Sequence, residues 1–349
     1  MQNRITLSEA LQLENALFID VRSPQEFAEG KIYGAVNVPL LNNEERALVG
    51  TIYRNEGGEK ARDKGFAAIA PKLPDLVKQI KAFSRQSNHL IIYCWRGGMR
   101  SKSVTDLLRI VGVEAKQLEG GYKKYRNYVL DTLQNFPLKP KIIMLCGSTG
   151  TGKTKILQLL AQKNLPVIDL EELAHHRGSV FGHVGIKDVP QAKEFDTQLL
   201  HLLTEFNDRP YIIVECESKR IGSVYLPDVL YQAMQNGKKI LLTAPMEVRI
   251  LRLMEEYLDV YQQNKLEIIE KAEHLRPRLG NKKTNNLLNL LKQDNIKEAV
   301  KILLTDYYDP LYGYETGNKF EFAKCIEADD LEKAAKMIAD YLDEEDSAV

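Results

Sequence analysis

The segment Lys141–Thr154, KIIMLCGSTGTGKT, constrains the fold of this chain more than any other part of the sequence. It has the pattern of a buried strand, a glycine-rich loop and the start of a helix, and it matches the motif G-x-x-x-x-G-K-[ST]. The backbone N–H groups of such a loop surround phosphate oxygens, and the positive end of the helix dipole adds to their attraction. The residues predicted to bind a di- or triphosphate, with Mg²⁺ as a candidate ion, are Gly147, Gly150, Gly152, Lys153 and Thr154.

Short apolar runs alternate with helical segments along much of the chain, as in LFIDV, HLIIYC and YIIVE. Such alternation is typical of parallel sheets flanked by helices. The 349 residues suffice for two domains, and Pro137 and Pro140 indicate a break between them. We therefore predict an α/β protein with a parallel-sheet domain over 1–128, a linker over 129–140 and a doubly wound P-loop NTPase-like domain over 141–349, whose C-terminal region is helical.

Composition and cysteine spacing narrow the class of protein. No apolar run reaches the roughly eighteen residues of a membrane helix, so no membrane span is expected. The N-terminus lacks the pattern of a signal peptide, which favours a cytoplasmic location. The four cysteines are far apart and form no C-x-x-C pair, so we expect neither a disulfide framework nor a structural metal site, and no tightly bound cofactor.

A second loop with anion-binding features follows the run HLIIYC, which ends at Cys94. Such a loop between a buried strand and a helix can direct successive amides towards one anion, and the helix dipole adds positive charge. Arg100, at the predicted helix start, supplies a guanidinium that can clamp an oxyanion. These features stabilise a thiolate, so we predict that Cys94 and Arg100 are catalytic. The anion loop between them consists of Trp95, Arg96, Gly97, Gly98 and Met99.

Two polar groups near the ends of predicted strands are weaker candidates. Glu215 and Glu217 end the run YIIVECE and are candidates for supporting Mg²⁺, although two surface acids would give the same pattern. His176, Arg177 and Ser179 follow another strand and are candidate substrate-binding residues. A solvated helix end explains this second group equally well.

A basic stretch follows the cysteine loop. From Arg96 to Arg126 the sequence has eight basic residues against three acidic ones, which favours a polyanionic partner. In the string YKKYRNY, tyrosines alternate with Lys123, Lys124 and Arg126, a spacing that could stack bases and neutralise RNA phosphates. One face of an ordinary helix is the more common source of such a pattern.

The first 128 residues resemble a rhodanese domain. The matching strings are DVRSP at Asp20–Pro24, Glu26-Phe27 and GKIYGAVNVP at Gly30–Pro39. Rhodaneses carry sulfur or selenium on the active thiol, and the resemblance assigns this role to Cys94. The Cys-x5-Arg loop is one residue longer than the usual sulfurtransferase loop and has the length found in cysteine phosphatases. The loop alone therefore does not separate a phosphatase from a chalcogen carrier.

A Cys-x5-Arg rhodanese followed by a P-loop domain resembles the tRNA 2-selenouridine synthase family over essentially the whole chain. Further matching strings are HRGS at His176–Ser179 and YYDP at Tyr307–Pro310. The resemblance implies a transferase that converts the wobble 2-thiouridine of tRNAs for Lys, Glu and Gln into 2-selenouridine. It implies S-geranylation with geranyl diphosphate, then selenium transfer from selenophosphate through a selenyl-sulfide on Cys94. A partner that supplies selenophosphate is implied as well.

Two other functions fit the residues. One is a rhodanese-fold cysteine phosphatase or sulfurtransferase with a regulatory nucleotide-binding domain, although the sequence offers no specific general acid for a phosphatase. The other is a scaffold that binds RNA or nucleotides without catalysis. The intact Cys94, both loop glycines and Arg100 disfavour a scaffold, which has no need of them.

Overall fold

The protein is represented by a computed structural model, which describes residues 3–176, 181, 184, 192–312 and 321–347. The described residues divide into two compact units. The first unit lies within Met1–Asn135 and Gln191–His201, and the second lies within Phe136–Pro190 and Leu202–Val349. Each unit contains its own parallel sheet, as the alternating apolar runs predicted.

The first unit is built on a parallel sheet. Its strands in the described residues are β1 (Arg4–Ile5), β2 (Ala16–Asp20), β3 (Val36–Asn37), β4 (His89–Tyr93) and β5 (Lys116–Leu118). They lie in the order β1-β5-β4-β2-β3, and every neighbouring pair is parallel. The sequence predicted β2 and β4 because central parallel strands are buried on both faces and therefore appear as continuous apolar runs.

The helices of the first unit begin at recognisable start signals. They are α1 (Leu7–Leu11), α2 (Pro24–Ala28), α3 (Asn43–Glu56), α4 (Gly58–Ile69), a 3₁₀ turn (Ala70–Lys72), α5 (Leu73–Phe83), α6 (Met99–Ile110) and α7 (Gly121–Gln134). At α2 the Ser23 hydroxyl accepts from the Glu26 amide, and the Glu26 carboxylate accepts from the Ser23 amide. This reciprocal cap, with Pro24 in the first helical turn, fixes where α2 begins.

A buried ion pair lies at the carboxyl end of β2. Arg22 Nη2 is 2.6 Å from Asp20 Oδ2, and the two side chains are 1% and 0% exposed. The same nitrogen donates to the Gly30 carbonyl oxygen at 2.6 Å, and the guanidinium lies 4.2 Å from the centroid of the Tyr122 ring. The pair therefore connects the end of β2 with the loop at Gly30 and with α7.

The second unit also has a parallel sheet. Its strands within the described ranges are β6 (Lys141–Cys146), β7 (Val167–Ile168), β8 (Tyr211–Glu215), β11 (Lys238–Thr243) and β12 (Lys324–Glu327). They lie in the order β12-β11-β6-β8-β7, and neighbouring strands are parallel. A separate antiparallel ribbon is formed by β9 (Arg220–Ile221) and β10 (Val224–Tyr225). The phosphate-binding motif follows β6, the middle strand of the sheet.

The helices of the second unit form two apolar clusters. The helices assigned from α8 onwards are α8 (Lys153–Gln162), α9 (Leu170–Leu173), α10 (Ala192–Phe206), α11 (Asp228–Gln235), α12 (Met246–Glu273), α13 (Arg276–Lys292), α14 (Ile296–Leu303), a π-helical turn (Leu304–Tyr308), α15 (Asp309–Tyr312) and α16 (Leu331–Ser347). One cluster packs α8 and α16 against the sheet, and the other joins α12, α13, α14 and the π-helical turn. None of the helices in the described residues is long and apolar enough to cross a membrane.

The structure corrects the predicted boundary between the domains. The predicted linker, 129–140, begins inside α7, where Val129 and Leu133 are 0% and 4% exposed and belong to the core. The division between the units falls after Asn135. The first part of α10 also belongs to the first unit, where Asp196 pairs with Arg126. A linear search for breaks could not find this long-range contact.

The predicted helical C-terminal region contains one strand that the sequence analysis missed. β12 pairs with β11 at the edge of the second sheet, with Ile326 opposite Leu242. The strand has four residues, and among them only Ile326 is buried. So short a strand gives no recognisable alternation of apolar and polar residues in the sequence. Asp309 and Pro310, the last residues of the string YYDP, begin α15 directly after the π-helical turn.

We predict that Asp20→Asn destabilises the first unit by about 3–5 kcal/mol, because it leaves the buried Arg22 guanidinium without its counter-charge. Urea unfolding followed by tryptophan fluorescence tests this, since the sequence has one tryptophan, Trp95, in that unit. Glu56→Gln breaks an exposed i,i+4 pair with Lys60 and serves as the control, which should shift the midpoint little. Equal midpoints for the two variants would refute a stabilising role for the buried pair.

Candidate active site

Cys94 lies directly after β4, at the start of the cysteine loop, which we define as Cys94–Arg100. Its side chain is 3% exposed, and its Sγ is 3.2 Å from the Ser101 hydroxyl in the first turn of α6. Ser101 is fully buried and also accepts a hydrogen bond from Gln117 Nε2 at 2.9 Å. Since Gln117 fills one acceptor position of the hydroxyl, the Ser101 proton is free to point towards the sulfur or the Gly98 carbonyl oxygen, 3.3 Å away.

The carbonyl groups of the cysteine loop bind to donors inside the protein. The Tyr122 and Lys123 amides at the start of α7 donate to the Cys94 and Trp95 carbonyl oxygens, both at 2.9 Å. Gln117 Nε2 lies 2.8 and 3.0 Å from the carbonyl oxygens of Gly97 and Gly98, and its two N–H groups are shared among these two oxygens and the Ser101 hydroxyl. Because a trans peptide plane is rigid, each fixed carbonyl directs the next amide the opposite way. The structure therefore holds these amides in the arrangement of an anion-binding loop.

The amides that face away from these donors have no protein acceptor. Within the described ranges, the backbone N–H groups of residues 95–98 donate to no carbonyl oxygen or side chain. Unpaired amides gathered beside a thiol favour a bound anion or a negatively charged sulfur.

Only one of the two loop glycines is required by the backbone. Gly97 has φ +63°, and a Cβ there would lie 2.5 Å from the Leu118 carbonyl oxygen. Gly98 has φ −95°, and a Cβ there would meet nothing within 4 Å. The absence of a side chain at Gly98 leaves the space above the loop open to a substrate.

Arg100 pairs with a carboxylate of the first unit. Its Nη1 and Nη2 donate to Glu26 Oε2 and Oε1 at 2.6 and 3.1 Å. Burial alone would raise the pKa of Glu26, but the hydrogen bonds and charge of Arg100 outweigh it and lower that pKa. An anion that binds through Arg100 must therefore share the guanidinium with Glu26. Of the other loop residues, Trp95 is half-buried, while Arg96 and Met99 are exposed.

The phosphate loop, Gly147–Thr154, follows β6, and its last two residues begin α8, within the segment predicted to contain a helix start. Arg249 Nε donates to the Thr149 carbonyl oxygen at 2.8 Å, and Arg252 Nη1 donates to the Thr151 carbonyl oxygen at 3.0 Å. By the same rigidity of the peptide plane, these bonds turn the following amides away from the arginines.

The two arginines of α12 are themselves held in place. A bidentate ion pair joins Arg249 to Asp309, at 2.5 and 3.0 Å, and Arg252 also donates to the carbonyl oxygens of Ala328 and Asp329. Gly150 has φ +82°, and a Cβ there would lie 2.9 Å from the Arg249 carbonyl oxygen. α12 therefore packs too closely for any other residue at this position.

Lys153 faces a group of carboxylates. Its Nζ donates to the Gly147 carbonyl oxygen at 2.7 Å, and Thr154 is exposed at the start of α8. Burial disfavours the charged lysine, but Tyr312, Glu171 and Glu217 outweigh this and raise its pKa. The lysine therefore stays positively charged and suited to an anionic ligand.

The carboxylates near the phosphate loop are crowded. Glu215 is 2% exposed and accepts from the Glu171 amide through Oε1, while its Oε2 has no partner among the described residues. Burial and the Glu217 carboxylate raise the pKa of Glu171 to about 8, and burial raises the pKa of Asp169 to about 6. In the described part of the chain, no three such side chains are arranged to hold a metal ion. The role of Glu215 and Glu217 towards Mg²⁺ therefore stays a prediction.

The other predicted binding residues have different surroundings. Lys123 and Lys124 are exposed on α7, whereas Arg126 is 17% exposed and pairs with Asp196 at 2.6 Å. The neighbouring Tyr122 and Tyr125 side chains are buried, so they form the inner face of a helix rather than a stacking surface. His176 is half-buried, and Arg177 and Ser179 lie outside the described residues.

Several residues of these sites were not found from the sequence. Ser101, Gln117 and Glu26 surround the cysteine loop, and only Ser101 lies close to it in the chain. Asp169 and Glu171 follow β7, and their position at the carboxyl end of a parallel strand was an available signal. Arg249 and Arg252 share a helix face at i, i+3 spacing, but nothing in the sequence relates them to a loop about a hundred residues earlier.

Comparison with family models covers both units. Residues 5–128 match the model of the rhodanese-like domain, and residues 140–346 match the model described as the tRNA 2-selenouridine synthase AAA domain. A solved structure, the N-terminal domain of a putative ATP/GTP binding protein from Clostridium difficile 630, is 45% identical. It covers 36% of this chain and 98% of its own, with a TM-score of 0.36.

Relatives with the same description align over most of the chain. The tRNA 2-selenouridine synthase of Hydrogenovibrio crunogenus is 35% identical over 340 residues, which are 89% of this chain and 92% of the relative. That of Nitrosomonas europaea is 37% identical over 253 residues, which are 71% of this chain but 65% of the relative. With both family models matched in the same order and relatives aligned over nearly their full length, the chain belongs to the tRNA 2-selenouridine synthase family.

Proposed function

We propose that this protein is a tRNA-modifying transferase that converts the wobble 2-thiouridine of tRNA into 2-selenouridine. The observation that carries the proposal is the buried Cys94, which lies in a loop whose successive amides have no protein acceptor in the described part of the chain. Membership of the tRNA 2-selenouridine synthase family supports the substrate and the product. The substrates are the tRNAs for Lys, Glu and Gln, in the cytoplasm.

The first proposed step makes the sulfur a better leaving group. The thiocarbonyl sulfur attacks C1 of geranyl diphosphate, a C–S bond forms, and the C–O bond to the diphosphate breaks. We assign the diphosphate to the phosphate loop, where Lys153 and the loop amides stabilise its developing negative charge. Mg²⁺ at Thr154, supported by Glu215 and Glu217, would add to this stabilisation.

The second proposed step replaces sulfur by selenium. Selenophosphate is provided by a separate supplier, and the Cys94 thiolate attacks its phosphorus, so that the S–P bond forms, the P–Se bond breaks and selenide leaves. Selenide adds to C2 of the base, and water later cleaves the S–P bond to release phosphate and restore the thiol. The C2–S bond then breaks, and geranyl thiol leaves. The amides of the cysteine loop hold the anionic group next to Cys94, and Arg100 binds it in competition with Glu26. A bound and oriented selenium atom reacts faster than one that arrives from solution.

We predict that Lys153→Ala lowers S-geranylation by about a hundredfold or more, because the leaving diphosphate loses its main charge partner. The variant should still selenate tRNA that was geranylated beforehand. Cys94→Ser should show the converse and accumulate geranylated tRNA, since a serine hydroxyl is a far weaker nucleophile than a thiolate. Mass spectrometry of nucleosides from plain and pre-geranylated tRNA, with selenophosphate and geranyl diphosphate supplied, measures both steps.

Two variants serve as matched controls for this experiment. Lys163→Ala removes an exposed lysine at the other end of α8, and Cys325→Ser removes the exposed cysteine of β12. Both variants should geranylate and selenate tRNA at the same rates as the unchanged protein. Normal geranylation by Lys153→Ala, or loss of selenation alone, would refute the assignment of the diphosphate to the phosphate loop.

Normal selenation by Cys94→Ser would show that Cys94 takes no part in the reaction. Release of phosphate from an aryl phosphate by the unchanged protein would favour the phosphatase function.

We predict that replacing Lys123 and Lys124 together by glutamate weakens tRNA binding and makes it less dependent on salt. The logarithm of the tRNA-binding constant falls linearly with the logarithm of the salt concentration, and each lost phosphate contact should make this slope shallower by about 0.7–0.9. Filter binding at several salt concentrations measures this slope. The control carries glutamate at Lys78 and Lys81, which are exposed on α5 of the same unit. If both double variants lower affinity equally, the effect is one of net charge, and α7 is not a binding surface.

A further inference from the structure

Gln117 places a primary amide inside the first sheet. It lies in β5, opposite Ile92 of β4 and Arg4 of β1, so strands on both sides hold its backbone. Its side chain is 3% exposed. An amide buried in this way is unfavourable unless its N–H groups find acceptors. The acceptors near its nitrogen belong to the cysteine loop and to Ser101, the residue directly after that loop.

Three acceptors surround the Gln117 amide nitrogen. Nε2 lies 2.8 Å from the Gly97 carbonyl oxygen, 3.0 Å from the Gly98 carbonyl oxygen and 2.9 Å from Ser101 Oγ. The two carbonyl oxygens can only accept, so the atom that faces them is the amide nitrogen and not the amide oxygen. Because a donor approaches Ser101 Oγ from this side, the hydroxyl proton of Ser101 points elsewhere.

The Ser101 proton has two acceptors within reach. Oγ lies 3.2 Å from Cys94 Sγ and 3.3 Å from the Gly98 carbonyl oxygen. The Gly98 oxygen already has Gln117 as a donor. A hydrogen bond to a thiolate is stronger than one to a neutral acceptor, because the acceptor is ionised. The hydroxyl therefore points to the sulfur when that atom is charged, and to Gly98 when it is not.

The charged side chains around the loop leave this role to a neutral hydroxyl. Arg22 is paired with Asp20 at the end of β2, and Arg100 of α6 is paired with Glu26 of α2. A carboxylate thus already balances the charge of each guanidinium. In the part of the chain that the structure describes, the hydroxyl is the one side-chain group at hydrogen-bond distance from Cys94 Sγ.

We propose that Gln117 is a positioning residue for the reaction of Cys94 and that it acts through Ser101. The inference rests on the proposed attack of Cys94 on selenophosphate and deepens it. The Ser101 hydroxyl stabilises the attacking thiolate and turns to the Gly98 carbonyl oxygen while the sulfur is bonded to phosphorus. When water cleaves the S–P bond, its oxygen goes to phosphorus, one proton goes to solvent and the electron pair returns to the sulfur. The hydroxyl then turns back and stabilises this leaving thiolate, and it keeps its own proton throughout.

The first test follows the alkylation of Cys94 by iodoacetamide over a range of pH, with the Cys94 peptide quantified by mass spectrometry. The thiolate is the reactive form, so the midpoint of the profile reports how well the site stabilises it. Ser101→Ala should raise the midpoint by about one to two pH units, the effect of losing a hydrogen bond to a charged group. Gln117→Met keeps an unbranched side chain without its donors, and it should raise the midpoint as well.

Two further variants show whether Gln117 acts through the hydroxyl. Thr105→Val removes another buried hydroxyl of α6, which donates to the Ser101 carbonyl oxygen at 2.9 Å, and it should leave the midpoint unchanged. The double variant Ser101→Ala/Gln117→Met should shift the midpoint by less than the sum of the two single shifts, because Gln117 then has no hydroxyl to orient. Circular dichroism checks that each variant is folded.

Phosphate release from selenophosphate gives a second measurement. The Ser101 hydroxyl contacts the sulfur and not the phosphate group in this mechanism. Ser101→Ala should therefore lower kcat by about tenfold or more and change KM little, since the lost interaction belongs to the reacting sulfur. An equal rise in KM at unchanged kcat would assign Ser101 to substrate binding and contradict the inference.

The outcomes separate this inference from the proposed function. Equal alkylation midpoints for Ser101→Ala and the unchanged protein would overturn it. Single shifts that add in full in the double variant would overturn it too, because Gln117 would then act only through the loop carbonyl groups. Failure of the proposed function is a different result: the midpoints would shift as expected, but the unchanged protein would form no 2-selenouridine.

Discussion

The binding of loop carbonyl groups to donors inside the protein determines what both candidate sites can hold. A carbonyl oxygen repels an anion, and a loop with freely rotating peptide planes would present both carbonyls and amides. In the cysteine loop the start of α7 and Gln117 bind the carbonyl groups. In the phosphate loop Arg249 and Arg252 have this role. Because each peptide plane is rigid, the amides are directed to the opposite side without reorganisation when a ligand arrives.

The charges around the two loops are balanced in different ways. Arg100 has a bidentate carboxylate partner, so its positive charge is available to a ligand only in competition with Glu26. Lys153 lies among carboxylates, and burial together with the neighbouring Glu217 carboxylate raises the pKa of Glu171 to about 8. A positive charge placed near such closely spaced carboxylates stabilises their ionised form. The first site is therefore suited to a small anion beside a nucleophile, and the second to a longer anion accompanied by a cation.

The helix α12 connects the phosphate loop to the apolar cluster of α12, α13 and α14. Arg249 and Arg252 orient the loop, and Leu253 and Tyr257, further along the same helix, pack against that cluster. The π-helical turn and α15 bring Asp309 to Arg249 and Tyr312 to Thr149. A disturbance of α12 therefore changes the phosphate loop and the packing of this apolar cluster together.

The sequence by itself determined the features that depend on neighbours in the chain. These features are two parallel α/β units, the strands β2, β4, β6 and β8, a helix start within Lys141–Thr154 and the cysteine loop, because burial on both faces and glycine-rich turns leave local patterns. Only the tertiary structure decided the partners that come from far along the chain: Gln117 at Ser101, Asp196 at Arg126 and Arg249 at Thr149. It also joined the first part of α10 to the first unit, and β12 to the edge of the second sheet. The residues in the three side-chain contacts are 16 to 100 positions apart. Such contacts form only when the chain folds, so no local pattern of residues encodes them.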